Sequence, residues 1–125
     1  MGTKTNMAPE INAQTPFDPK KADVFALGVV LFQLVAGDFP FQRAVETDPV
    51  YGPVKNNDFI TFWESVEKKV GRDSLELEES LKSLLEGMLA FYPENRLSMR
   101  EVMNHPWYAG AVASEEQLLE ELGVS

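Results

Sequence analysis

The sequence predicts a mainly α fold, with about five helices arranged around one buried central helix. Three observations carry this. Val24 to Ala36 is a thirteen-residue apolar run interrupted only by Gln33. Apolar side chains recur at spacings of three and four from Phe59 to Val70 and again from Leu77 to Leu89. Helix-capping and helix-stopping residues fall where those runs begin and end. A chain of 125 residues suits one modest domain and buries roughly two-thirds of its unfolded surface on folding. Its 44% apolar and 25% charged residues place it among globular rather than disordered chains.

Taken in order, residues 1–20 hold Pro9, Pro16 and Pro19 with several Thr and Asn and no sustained period, so they read as an irregular loop. The apolar run follows. It lacks a polar face, which places it at the centre of a core, and it is long for a strand. Ala26, Leu27, Leu31, Leu34 and Ala36 favour a helix from about Lys21 to Ala36, ended by Gly37. Gly37 to Phe41 then form a turn whose Phe39 and Phe41 pack back onto the core, and residues 42–56 are a second loop.

Phe59, Phe62, Trp63, Val66 and Val70 mark an amphipathic helix from about Asp58 to Val70, stopped by Gly71. The next helix has Leu77, Leu81, Leu84, Leu85, Met88 and Leu89 on one stripe. Glu78, Glu79, Lys82 and Glu86 occupy its other face, and Pro93 ends the segment. Ser98 with Glu101 is a capping-box pattern, predicting a helix that stops before Pro106. Ser114 with Gln117 predicts a last helix from about Glu115 to Leu122, ended by Gly123.

Composition excludes several functions. A net charge of −9 and a pI near 4.5 argue against nucleic-acid binding, which needs clustered Lys and Arg. With no cysteine there is no disulfide, no thiolate metal site and no cysteine nucleophile. The single His105 excludes a site needing two histidines, and it reads as a packing residue before Pro106. The apolar run falls short of the roughly 20 residues a membrane span requires. No metal site and no membrane partner are expected, and the cytoplasm is the expected location. Residues 101–125 carry five acidic residues and no Lys or Arg, which reads as a solvated helix face.

Three short motifs occur in order. They are Gly2-Thr3 with Met7-Ala8-Pro9-Glu10; Asp23-Val24-Phe25-Ala26-Leu27-Gly28; and Pro93-Glu94-Asn95-Arg96 with His105-Pro106-Trp107. Their order and spacing resemble the C-terminal portion of the C-lobe of the eukaryotic protein kinase domain, whose signatures include Ala-Pro-Glu. The resemblance implies a partial kinase domain over residues 1–109, from the substrate loop to the last C-lobe helix. Residues 110–125 would be an acidic helical extension. Gly2 and Thr3 resemble the loop pair of serine/threonine kinases, and Gly2, Thr3, Met7 and Ala8 would belong to the loop that seats the protein substrate.

The resemblance further implies that Glu10 and Arg96 form a buried ion pair. From spacing alone both read as solvated loop charges. Asp23 would hold the catalytic-loop backbone, a place where a helix N-terminus also favours a carboxylate. Gly28 would admit another backbone close to the central helix. Departures are Asn6 in place of a usual aromatic, Phe25 in place of a frequent Trp, and Gln33 where kinases selecting basic substrates carry Glu.

Phosphoryl transfer also needs a Gly-rich loop, a strand lysine, a catalytic aspartate and a metal-binding aspartate. The sequence contains no Gly-x-Gly-x-x-Gly, no His-Arg-Asp and no Asp-Phe-Gly. ATP and magnesium therefore belong to the complete domain, and this chain alone is expected to bind no cofactor and to be inactive. Its expected partners are a protein substrate or the rest of a kinase. The alternative is a non-catalytic, kinase-derived scaffold. Either way the central helix expects a covering neighbour, and an uncovered flank would leave the isolated chain sticky or partly molten.

Overall fold

The computed structural model describes residues 7–70 and 79–108. Five α-helices lie within them: α1 (Pro9–Asn12), α2 (Pro19–Ala36), α3 (Phe59–Val70), α4 (Glu79–Met88) and α5 (Met99–Asn104). Two 3₁₀ turns, Gly52–Asn56 and Pro93–Asn95, join them. No strand occurs among the described residues.

Helix α2 is the axis of the molecule. Asp18 caps it by accepting the Lys20 N–H at 2.9 Å, and Pro19 supplies a first-turn residue whose missing N–H costs nothing there. The helix thus starts at Pro19, two residues before the expected start at about Lys21. At its other end Gly37 adopts φ 80°, a left-handed conformation glycine takes without penalty, and its N–H donates to the Gln33 carbonyl at 2.9 Å.

The two buried faces of α2 carry different neighbours. Phe25, Val29 and Phe32 enter the larger cluster with Phe41, Tyr51, Val54, Phe62, Leu85 and Leu89. Val24 joins Leu84, Met88 and Val102 in a smaller one under α5. Aromatic rings bind the larger cluster in edge-to-face and tilted pairs. Phe25 meets Tyr51 at 5.8 Å, Phe41 meets Tyr51 at 4.7 Å and Phe62 meets Trp63 at 5.1 Å between centroids.

Helix α4 crosses α2 at Gly28. A Cβ at that position would lie 2.9 Å from Met88 Cβ and 3.1 Å from Leu89 Cδ2, so only glycine admits the crossing without a shift. The roughly 1 kcal/mol that glycine costs inside a helix is offset by this close packing.

Three local outcomes differ from the sequence reading. Residues 9–12 are helical rather than irregular, because extended Ala8 caps a turn that Pro9 begins with its fixed φ. One turn is too short to show a period. The loop from 42 to 56 ends in a 3₁₀ turn, closed by Asn57 at φ 59°. After α5 the chain turns helical again at 106–108, since Pro106 breaks one helix and suits the first position of the next. Gly71, Leu77, Glu78 and the predicted helix at 115–122 lie outside the described residues.

The remaining flank of α2 is bare. Leu27, Val30 and Leu34 follow one another at spacings of three and four and are exposed, Leu34 at 78%. Such a stripe is the kind of surface a neighbour covers. The purified chain is expected to bind ANS, and Leu34→Gln with Val30→Gln to reduce that binding while stability changes by less than about 0.5 kcal/mol per substitution. Fluorescence titration with a parallel urea curve checks both; unchanged ANS binding would place the exposed apolar surface elsewhere.

The capping box of α5 is complete. Ser98 Oγ accepts the Glu101 N–H at 3.1 Å, and the Glu101 carboxylate accepts the Ser98 N–H at 2.8 Å. Hydrogen bonding from Ser98, its N–H first and then its hydroxyl, holds the Glu101 carboxyl below its ordinary value. A depressed folded-state value means that the contribution is present above the ordinary carboxylate range and lost as pH falls through the lowered one. The Ser98 amide should therefore lose hydrogen-exchange protection on acidification, and Glu101→Gln should make that protection independent of pH.

Candidate functional site

The site centres on a buried charge. Arg96 follows the 3₁₀ turn Pro93–Asn95 in extended conformation, which sends its side chain inward to the N-terminal end of α2. The residue is 2% exposed, and each of its five side-chain N–H donors has an acceptor. Nη1 donates to Glu10 Oε2 at 2.7 Å and Nη2 to Glu10 Oε1 at 2.9 Å, a two-pronged ion pair. The other three donors reach main-chain carbonyls of Ala90 (3.0 Å), Lys21 (3.0 Å) and Phe91 (3.1 Å). The Phe25 ring lies 5.2 Å from the guanidinium carbon, adding a cation–π contact.

Lys21 closes the exchange in the other direction, its Nζ donating to the Arg96 carbonyl at 2.6 Å. One side chain thus ties together α1, the first turn of α2 and the strip following α4.

This anchor fixes the segment just before α1. Ala8 is fully buried, and its carbonyl accepts the N–H groups of Ile11 and Asn12 at 3.0 and 3.1 Å. Met7 is half-buried, and its carbonyl accepts from Asn12 Nδ2 at 3.2 Å. The same Asn12 amide reaches the Ala44 carbonyl at 3.3 Å, tying α1 to the loop after α2. Gly2, Thr3 and Asn6 lie outside the described residues.

Asp23 stands apart from this network, exposed on α2. It borders a cleft of about 370 Å³ between α2 and α5, shared with Asp18, Lys20, Lys21, Ser98, Met99 and Arg100. Gly28 lies further along α2, where α4 crosses. Gln33 is exposed near the end of the same helix.

Sequence reasoning missed two buried residues in the loop between α2 and α3. Asp48, buried, accepts the N–H groups of Arg43 (3.0 Å), Val50 (2.9 Å) and Tyr51 (3.0 Å), so one carboxylate organises the whole loop. The Asp48-Pro49 step, an Asx-turn signal, could have shown it. Tyr51 donates its hydroxyl to the Leu89 carbonyl at 2.7 Å from full burial, and that burial pushes its phenol far above the ordinary value. A tyrosine among turn residues gives no such signal.

Comparison with known proteins bears directly on this arrangement. Residues 1–108 match the protein kinase domain. The chain belongs to the protein kinase domain family. Its relatives include the human SNF-related serine/threonine-protein kinase, 34% identical over 109 residues, which cover 87% of this chain and 12% of that protein. The rice kinase SAPK2 (subspecies japonica) is 32% identical over 108 residues, 86% of this chain and 30% of the relative. The Arabidopsis kinase SRK2G is 28% identical over 113 residues, 86% and 29% respectively. What the chain contains is a portion of a kinase domain, spanning less than a third of each of these relatives.

Removing Arg96 would leave the Glu10 carboxylate buried without its partner. Arg96→Ala is expected to cost about 3–5 kcal/mol, the range for breaking a buried pair from one side. Arg96→Lys should fall in between, because an ammonium has three donors and cannot match the planar fork. Urea unfolding followed by tryptophan fluorescence reads both. A loss under about 1 kcal/mol for Arg96→Ala would mean that the pair does not hold the site.

Proposed function

We propose that this chain supplies the substrate-side portion of a serine/threonine protein kinase, in which the complete domain transfers phosphate from ATP to protein Ser or Thr. The observation that carries the reading is the Glu10–Arg96 pair, which ties α1 to the first turn of α2, while Met7 and Ala8 are held by hydrogen bonds from α1. Phosphoryl transfer depends almost entirely on position and charge. A rigid seat for the acceptor peptide is accordingly what this half of the machinery has to provide.

In this reading Gly2, Thr3, Met7 and Ala8 line the seat, and Glu10 with Arg96 keeps it from drifting. Asp23 offers its carboxylate, at the exposed rim of α2, to main-chain N–H groups of the catalytic loop. Gly28 keeps α4 close enough to stiffen α2 from behind. Residues 1–109 form the partial domain, residues 110–125 an acidic extension beyond it, and the cytoplasm is the working compartment.

ATP and magnesium serve the complete domain. The residues described here do not fit a magnesium nucleotide. No group of three or more His, Asp or Glu side chains gathers among them. The carboxylates of the α2–α5 cleft, Asp18 and Asp23, share it with Lys20, Lys21 and Arg100. No step of phosphate transfer is therefore assigned to this chain's own groups.

Incubating the purified chain with Mg-ATP and a generic protein substrate should give no phosphate incorporation above a blank. Co-expression with the N-terminal portion of a serine/threonine kinase, carrying its Gly-rich loop, His-Arg-Asp and Asp-Phe-Gly, should restore it. Arg96→Ala in this chain should abolish the rescue. Robust incorporation by the chain alone would sink the proposal, and a rescue indifferent to Arg96→Ala would remove the anchor from it.

A further inference from the structure

Thr15-Pro16 is the sole Ser/Thr-Pro dipeptide in the sequence. Both residues are exposed, in a non-helical stretch that leaves α1 through Gln14 at φ 59°. Thr15, Pro16 and Phe17 after it are all exposed, a short accessible strip. The hydroxyl is not idle. Thr15 Oγ1 donates to the Glu10 carbonyl at 3.0 Å, and the Thr15 N–H donates to the same oxygen at 3.2 Å. Two donors thus close the C-terminal end of α1 on the very residue whose carboxylate holds Arg96.

We propose that Thr15 is a phosphorylation site for a proline-directed protein kinase, and that its phosphate loosens α1 and the Glu10 anchor. In the transfer, Oγ1 attacks the γ-phosphorus of ATP held by that kinase. An O–P bond forms, the bond from that phosphorus to the ADP oxygen breaks, and the hydroxyl proton passes to the modifying kinase's base. The products are phosphothreonine and ADP.

The sign of the effect follows from what surrounds Thr15. It lines a groove of about 360 Å³ with Pro9, Glu10, Phe91, Tyr92 and Glu94, and because the Glu10 carboxylate is already matched by Arg96, Glu94 carries the net charge of that lining. A phosphate of about −1.5 to −2 charge placed beside that carboxylate acts by repulsion, whereas an Arg cluster would have turned it into a new tether. Phosphorylation also removes the hydroxyl donor, leaving the Glu10 carbonyl with the Thr15 N–H alone from this strip. Arg96 offers no compensation, since its five donors are already engaged.

The test treats the full chain with a proline-directed serine/threonine kinase and Mg-ATP, then maps phosphate by tandem mass spectrometry. Phosphate on Thr15, lost in Thr15→Ala, is expected. Amide exchange of Ile11, Asn12 and Ala13 should rise by about tenfold or more in the phosphorylated chain, and by less in Thr15→Val, which loses the donor without gaining charge. If Thr15 stays unmodified while a peptide of residues 10–20 is phosphorylated efficiently, the site is wrong. If phosphorylated Thr15 leaves those amides exchanging as slowly as before, the coupling to α1 is wrong.

Discussion

A guanidinium in a protein interior is costly unless every N–H finds an oxygen, and Arg96 shows how much architecture that requirement recruits. Two of its donors go to Glu10 and three to carbonyls of Lys21, Ala90 and Phe91. Those acceptors come from three separate stretches of chain, and none can move far without leaving a buried N–H unpaired. The strip after α4 is held in an irregular path because its carbonyls must face inward. Helix α1, a single turn with little stability of its own, keeps its place because its carboxylate is the counter-charge. The pair gains little as an isolated interaction. Its effect lies in the three segments it obliges to meet.

Around that point the packing divides by chemistry. Above it, Phe25, Phe41, Tyr51 and Phe91 give α2 a wall of rings, and the Tyr51 hydroxyl pins that wall to the end of α4. Behind it, Gly28 leaves room for Met88 and Leu89, at the end of α4, to press against the helix. The third side carries Leu27, Val30 and Leu34 into solvent. A helix apolar on every face is therefore buried on two and bare on one, in keeping with a chain that spans only part of its relatives' length.

What could be read from the sequence was governed by periodicity and by motif. Helices α3 and α4 were legible because their apolar stripes repeat for three turns, and α5 because Ser98 and Glu101 carry a cap in three residues. Helix α1 was not, since one turn shows no period and its stability comes from an ion pair between residues 86 apart. Glu10 and Arg96 became a pair only through resemblance; nothing local distinguishes them from solvated charges. Tyr51 leaves no pattern either, since its phenol ends on a carbonyl 38 residues away. The bonds of Asp48 are local, and its Asp-Pro step is the one Asx-turn signal for them.

The distance along the chain between Glu10 and Arg96 bears on how the fold tolerates change. The entropy of closing a long loop rises only with the logarithm of its length, about 0.6 kcal/mol for each doubling. Lengthening the stretch between α2 and α3 by several residues adds a small fraction of that to the closure. The pair sets where the chain must return and leaves open how far it travels first. Within that stretch Phe41, Ala44, Asp48, Tyr51 and Val54 are buried, which leaves the exposed positions between them as the ground where insertions can accumulate while the anchor stays shut.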